Sequence, residues 1–279
     1  MTRRQLLARA RELLTSRNIP DAPLEAELLL RHVLQVTRAG LLSGLEVPVT
    51  PASEAAYLGL VERRAKGEPS AYITGQREFY GLDFELDCNV LIPRPETELL
   101  VEQAIRIVGE YEAPTIADVG TGCGAIAISL TVNLPQARVY ATDVSSEALA
   151  IARRNAARLG VMERIIFVTG DLLEPQSEPV DVITANLPYV RSEDVPLVTT
   201  AGYEPRLALD GGPDGLDFIR RICAQAEGKL NAGGSLLLEI GMGQAEAVTA
   251  LLRGHFPGAC VTIIPDWNGI PRVAVMTLA

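Results

Sequence analysis

Apolar residues recur every three or four positions through the first quarter of the chain. Leu6, Leu7, Ala10, Leu13 and Leu14 form one stripe, Asn18-Ile19-Pro20-Asp21 interrupts it, and Leu24, Leu28, Leu29, Val33 and Leu34 form a second. Asp21 and Pro23 are residue types that open helices, and Thr50-Pro51 with Gly67 brackets a third helix over 53–66. The period then shortens. Phe79-Tyr80 and Phe84-Glu85-Leu86 flank Gly81-Leu82-Asp83, which predicts two short strands about a turn. Beyond them the pattern alternates, with helices over 96–109, 125–133 and 146–159 and strands over 115–119, 138–142, 165–169 and 180–185. A helix over 215–230, a strand over 235–240, a helix over 244–252 and paired strands over 260–264 and 273–277 complete it. Such alternation is α/β: a parallel, doubly wound sheet with an antiparallel edge, and a ligand at the carboxyl ends of its strands. The predicted organisation is a helical module over 1–76, a hairpin linker over 77–92 and an α/β domain over 93–279.

Composition narrows the class. The 279 residues, 48% hydrophobic and 22% charged, suit an ordinary globular protein and disfavour disordered, collagenous and coiled-coil chains. A net charge of −10 repels phosphate backbones, so no stable nucleic-acid binding is expected, although Arg3, Arg4, Arg9, Arg11, Arg63, Arg64 and Lys66 make the N-terminal region more basic. Cys88, Cys123, Cys223 and Cys260 are widely spaced and accompanied by only His32 and His255. That spacing suits a reducing compartment, with cytoplasm as the default, and predicts no metal site. No segment has the length of apolar sequence that a membrane span needs. The opening MTRRQLLARARELL is read as a structural helix in preference to a transit peptide, because the pattern continues beyond it and includes Glu12. A monomer is the default.

Three segments carry chemistry. Gly120-Thr121-Gly122-Cys123-Gly124 lies between a strand and a helix, where glycines permit a tight turn and a close backbone approach to a ligand. With Ala125 following, it also matches the dinucleotide fingerprint, which keeps a nicotinamide enzyme in play. Asp143 ends the next strand, nineteen residues after Gly124, at a spacing suited to binding both hydroxyls of a ribose; the alternative is a cap for the helix near Ser146. Asp171 and Leu172 follow the next strand and face the same crevice, Asp171 as acceptor for an adenine amino group and Leu172 as packing surface, or as ordinary turn residues. Asn186-Leu187-Pro188-Tyr189 follows the strand over 180–185. An amide, a proline-held backbone and an aromatic face at a strand end can receive a planar group bearing an NH₂, a site for methylating an amide or amino nitrogen.

Together, the glycine loop, Asp143, Asp171 and N-L-P-Y resemble an S-adenosylmethionine-dependent amino methyltransferase. Gly67-Glu68-Pro69, Tyr72-Ile73, Phe79-Tyr80-Gly81-Leu82, Ile92-Pro93-Arg94-Pro95-Glu96-Thr97-Glu98, Glu204-Pro205-Arg206-Leu207-Ala208-Leu209 and Asp214-Gly215-Leu216 are similar to the PrmC/HemK family over nearly the whole chain. The resemblance implies a Rossmann-like class I S-adenosylmethionine-dependent methyltransferase sheet with a small N-terminal helical domain that holds the protein substrate. It implies methylation of the glutamine side-chain amide in the Gly-Gly-Gln motif of peptide chain release factors. Gly120, Thr121, Gly122, Cys123 and Gly124 would then border the methionine part of the cofactor, Asp143 the ribose, and Asp171 with Leu172 the adenine. Asn186 and the Leu187 carbonyl would accept the two amide hydrogens, beside Pro188, and Tyr189 would pack on the glutamine. Leu187 stands where the family usually has the first proline of N-P-P-Y, and leucine offers the same carbonyl on a less fixed backbone. N-L-P-Y also resembles adenine methyltransferases acting on DNA or RNA, the alternative activity. Arg94, Glu96 and Glu98 read equally as a closure over the site or as a helix start, and Glu204 with Arg206 as an ion pair bracing the N-L-P-Y loop.

Overall fold

Thr2 starts the first helix, α1 (Arg3–Ser16), through a reciprocal pair of hydrogen bonds. Its hydroxyl accepts from the Gln5 N–H at 3.3 Å, and the Gln5 side-chain oxygen accepts from the Thr2 N–H at 2.9 Å. The helices α2 (Ala22–Leu34), α3 (Arg38–Ser43), α4 (Pro51–Ala65) and α5 (Ser70–Thr74) follow. With α1 they make up the first of two compact units, Met1–Gln76; the second is Arg77–Ala279. The structure, a computed structural model, describes residues 1–109, 111–198, 200 and 202–279.

Leu6, Leu14, Leu29, Leu30, Leu41, Tyr57 and Val61 are fully buried and form the core of the first unit. The buried Tyr57 hydroxyl donates to the Ala26 carbonyl at 3.1 Å, so its polar tip is satisfied. The inward stripe of α2 differs from the expected one. Leu24 is 52% exposed, and Ala22, Ala26, Leu29 and Leu30 face inward. These four also fall at helical spacing, and the two alanines allow close approach to α1 and α4 while the larger Leu24 stays outside. The short helices α3 and α5 escaped the periodicity reading because one turn and a fraction shows no repeat.

A hairpin of β1 (Gln76–Phe79) and β2 (Leu82–Glu85) precedes the α/β layers. Then come α6 (Glu98–Val108), β3 (Thr115–Val119), α7 (Ala125–Asn133), β4 (Arg138–Asp143), α8 (Ser146–Arg158), β5 (Ile165–Thr169) and β6 (Val180–Ala185). The chain ends with α9 (Asp217–Ala226), β7 (Leu230–Glu239), α10 (Ala245–His255), β8 (Cys260–Pro265) and β9 (Pro271–Thr277). Among the described residues the main sheet runs β5-β4-β3-β6-β7-β9-β8, parallel from β5 to β7 and antiparallel at β9 and β8. This is the expected Rossmann-like architecture, a parallel, doubly wound sheet with an antiparallel edge. The helix expected over 215–230 stops at Ala226, because β7 begins at Leu230, before the strand expected at 235.

Register sets the site. Val119 lies opposite Thr142 on one side and Ala185 on the other, and Asp143 lies opposite Thr169. The carboxyl ends of four neighbouring strands are therefore level, and β3, flanked by β4 and β6, is where the winding reverses. Helix α7 is buried all round from Ala125 to Thr131, so it offers no polar face and ties the glycine loop to the interior. No helix among the described residues is long and apolar enough to cross a membrane.

Candidate active site

The loop after β3 is clamped from both sides. The Gly120 and Thr121 N–H groups both donate to the Thr142 carbonyl at 2.9 Å. Beneath them Asp118, fully buried, accepts from the Thr121 hydroxyl at 2.7 Å, the Ala127 N–H at 3.2 Å and the Thr184 hydroxyl at 3.0 Å. Burial pushes its carboxyl up to about 6 against the pull of these donors. Gly120, Gly122 and Gly124 have φ of +71°, +57° and +86°, the left-handed region where side chains are strained. A Cβ on Gly122 would meet nothing within 4 Å, whereas one on Gly124 would stand 2.8 Å from Ile128 Cδ1. Gly122 thus leaves open space and Gly124 serves packing.

Asp143 closes the loop. Its Oδ2 accepts from the Gly122 N–H and its Oδ1 from the Ser145 N–H, both at 2.9 Å. Burial raises its pKa and those N–H groups oppose the rise. The cap of α8 is Ser145, whose hydroxyl accepts from the Ala148 N–H at 3.1 Å, so Asp143 does not occupy the capping position. Leu172 has φ of +52°, a strained conformation for a bulky residue, and its carbonyl accepts from the Thr142 hydroxyl at 2.9 Å. Asp171 is ion-paired with Arg221 at a half-exposed rim.

Asn186 lies just beyond β6 and donates from Nδ2 to the buried Thr97 hydroxyl oxygen at 3.0 Å. Leu187 packs beneath Gly120, whose Cβ would meet Leu187 Cδ2 at 3.0 Å. The Tyr189 hydroxyl donates to Glu239 Oε1 at 3.3 Å, and burial raises the pKa of this phenol.

One ion pair differs from expectation. Glu204, with no exposed side-chain surface, pairs with Arg94 at 2.5 Å, and Arg206 pairs with Asp210 at 2.8 Å. Pro205, extended at φ −63° and ψ 127°, separates the two side chains, so Glu204 turns inward while Arg206 stays 69% exposed. Next to Arg94, Pro95–Thr97 forms a single 3₁₀ turn leading into α6, and Glu98 Oε1 accepts from the Tyr80 N–H at 3.0 Å.

Gly120, Thr121, Gly122, Cys123, Asp143, Asp171, Leu172, Asn186, Leu187 and Pro188 line one cavity of about 260 Å³; Gly124 and Tyr189 are not among its lining residues.

A release factor glutamine methyltransferase of Moorella thermoacetica is 44% identical over 274 residues, spanning 98% of this chain and 97% of that one. The chain belongs to the release factor glutamine methyltransferase family. A second such enzyme, from Geobacter sulfurreducens, is 42% identical over 98% of this chain and 95% of its own. The PrmC N-terminal domain matches residues 5–75 and the methyltransferase small domain matches 96–201. Among solved structures, a ribosomal protein L11 methylase from Lactobacillus delbrueckii subsp. bulgaricus superposes with a TM-score of 0.51 at 21% identity, covering 70% of this chain and 84% of that one, a likeness of fold.

In this family member the cavity also takes residues that spacing did not single out. Cys88, Asn89, Val90 and Leu91, in the stretch read as a linker, form part of its wall, as do Thr97, Leu207 and Phe218. Asn155 explains why that stretch is held there. Fully buried on α8, it pairs with both the N–H and the carbonyl of Glu85 at 2.8 and 2.9 Å and donates to the Cys123 carbonyl at 3.0 Å. A buried Asn in a helix is the sequence signal that was available for it.

Proposed function

We propose that this protein transfers a methyl group from S-adenosylmethionine to the side-chain amide nitrogen of the glutamine in the Gly-Gly-Gln motif of peptide chain release factors. The observation that carries the proposal is the convergence of the glycine loop, Asp143 and Asn186 on one cavity in a chain of this family.

The residues fit the cofactor. Gly122 leaves open space beside Asp143, and each Asp143 oxygen, engaged by one backbone N–H, retains acceptor capacity for a ribose hydroxyl. Leu172 offers apolar surface to an adenine, with Asp171 at the rim; there the Arg221 pair leaves its carboxylate able to accept further hydrogen bonds. When bound, S-adenosylmethionine supplies a methyl group already activated on a sulfonium. The protein's task is orientation, because an amide nitrogen is a poor nucleophile whose lone pair is drawn into its carbonyl. Asn186 Oδ1 and the Leu187 carbonyl accept the two amide hydrogens and aim the nitrogen. Tyr189 packs on the glutamine side chain, its hydroxyl held by Glu239. Leu187, buried under the glycine loop, holds its carbonyl by packing where proline would hold it by a fixed φ. The N-terminal unit takes part in holding the protein substrate, and the enzyme works in the cytoplasm as a monomer.

Methylation of adenine in nucleic acid is the less supported activity, given the net charge of −10 and the names borne by the relatives. Incubation with a purified release factor and S-adenosylmethionine, followed by peptide mass spectrometry, tests the reading. One added methyl on the Gly-Gly-Gln glutamine is expected. An unmodified peptide, with methyladenine formed in RNA or DNA offered in parallel, would overturn the substrate.

A further inference from the structure

Trp267, the single tryptophan of the chain, is 101% exposed in the turn between β8 and β9. One apolar residue alone on a surface needs no explanation; Trp267 is set apart by how it is held and by what shares its edge of the sheet. Its turn is stiff. Asp266 Oδ1 accepts from the Asn268 and Ile270 N–H groups at 2.9 and 3.0 Å, and Oδ2 from Arg272 Nε at 3.1 Å. The Asp266 N–H donates to the Ile270 carbonyl at 2.8 Å. A side chain carried on backbone so fixed loses little freedom when a partner covers it, and an indole has only two rotatable bonds of its own.

The turn lies on the same edge of the sheet as the cavity. Leu238 is level with Ala185, the residue before Asn186, while Glu239 lies opposite Val273, and Val273 opposite Ile264. The ends of β6, β7 and β8 and the start of β9 therefore share one rim. Arg272, which fastens the turn, also has its guanidinium 4.0 Å from the carboxylate of Glu96, the neighbour of Thr97, whose hydroxyl accepts from Asn186. Just past β7, Met242 is 78% exposed, and Leu207, which lines the cavity itself, is 55% exposed.

We propose that Trp267, supported by Met242 on the same rim, is a docking point for the folded release factor whose glutamine enters the cavity. The proposal rests on the reading above that a release factor is the substrate. A glutamine delivered into the cavity arrives on a polypeptide whose flanking surface must come to rest against the rim, so recognition beyond the reacting side chain falls to residues placed there. The size of the patch favours this occupant over a second copy of the chain. One indole buries about 150–250 Å², far short of the roughly 1,000 Å² or more that a stable dimer needs, and a weak contact suits a substrate that must leave once methylated. Trp267 lies outside the cavity lining, so it acts on substrate affinity and takes no part in methyl transfer.

The test uses the full-length enzyme carrying 5-fluorotryptophan, which places its one ¹⁹F nucleus at position 267. Unlabelled release factor should shift or broaden that resonance, whereas S-adenosylhomocysteine alone should leave it in place. In steady-state assays Trp267→Ala should raise KM for the release factor roughly tenfold, with kcat and calorimetric affinity for S-adenosylmethionine within about twofold of the parent. Trp267→Phe should stay within about threefold in KM, because the phenyl ring keeps most of the apolar contact. An unmoved resonance at saturating release factor, or an unchanged KM in Trp267→Ala, would overturn the proposal. So would a resonance that moves with enzyme concentration alone, which marks self-association, or with RNA and not with the release factor. Peptide mass spectrometry of the parent reaction keeps the two readings apart: a methylated glutamine with a silent resonance overturns the docking alone, and an unmodified release factor overturns the substrate reading and the docking with it.

Discussion

Glu204 accepts a hydrogen bond from the Ile92 N–H at 3.0 Å across 112 residues of sequence, and its other oxygen takes the Arg94 guanidinium at 2.5 Å. One buried carboxylate thus fastens the Ile92-Pro93-Arg94 strap, which leads to Thr97 and α6, to the segment that follows N-L-P-Y. Thr200 adds a further hydroxyl to the same oxygen. Removing the carboxylate leaves a buried N–H and a half-buried guanidinium without their acceptor. Glu204→Ala should lower unfolding stability by about 3 kcal/mol, measured by urea denaturation; a loss within the error of extrapolation would show that the strap is held by other contacts.

Gly124 and Gly160 offer a matched pair of glycines, with φ of +86° and +74°. A Cβ on Gly160 would meet nothing within 4 Å, whereas on Gly124 it would stand 2.8 Å from Ile128 Cδ1 and 3.2 Å from Ala152 Cβ. Alanine at 160 carries only the conformational penalty, about 1 kcal/mol, and alanine at 124 adds a steric one, about 1–3 kcal/mol more. Thermal unfolding of the two variants checks this order. Equal losses would mean that α7 shifts freely to make room.

The parallel strands were legible because apolar runs ended at residues with chemistry to do, Gly120, Asp143, Asp171 and Asn186, and register brings these ends level. The Glu204–Arg94 pair was not, since its partners lie 110 residues apart and Arg206, two positions away, offered a nearer cation. Glu239 carried a signal that went unused, a lone acid in an apolar run. Leu24 misled in the opposite direction: a leucine at helical spacing is no evidence for the buried face when alanines two positions to either side make the closer packing. Asn155 and Cys88 show the remaining limit. Their roles depend on a hairpin docking against α8, and local pattern holds no information about which helix a hairpin meets.

Asn186→Ala should separate binding from chemistry. Asn186 lines the same cavity as Asp143, yet its position beyond β6, beside the Leu187 carbonyl, suits it to the substrate NH₂ more than to the cofactor. Turnover should fall by roughly 10²-fold, with S-adenosylmethionine affinity by calorimetry changed by less than about threefold. Parallel losses in both would assign Asn186 to cofactor binding instead.

Asp118 gives a stability signature in pH. Its carboxyl, raised from 3.8 to about 6 by burial, binds its proton more tightly in the folded chain than in the unfolded one. Its contribution is therefore greatest below pH 3.8 and is lost as pH rises through about 6. Asp118→Asn removes that titration and keeps the side-chain shape. The stability of the parent minus that of the variant should fall by about 3 kcal/mol between those limits and stay flat above them. Measuring urea midpoints of both proteins from pH 3.5 to 8 isolates the difference from every other carboxylate. A difference that rises with pH would mean that the Thr121, Thr184 and Ala127 donors outweigh burial, and that Asp118 holds the glycine loop as a charge stabilised by folding.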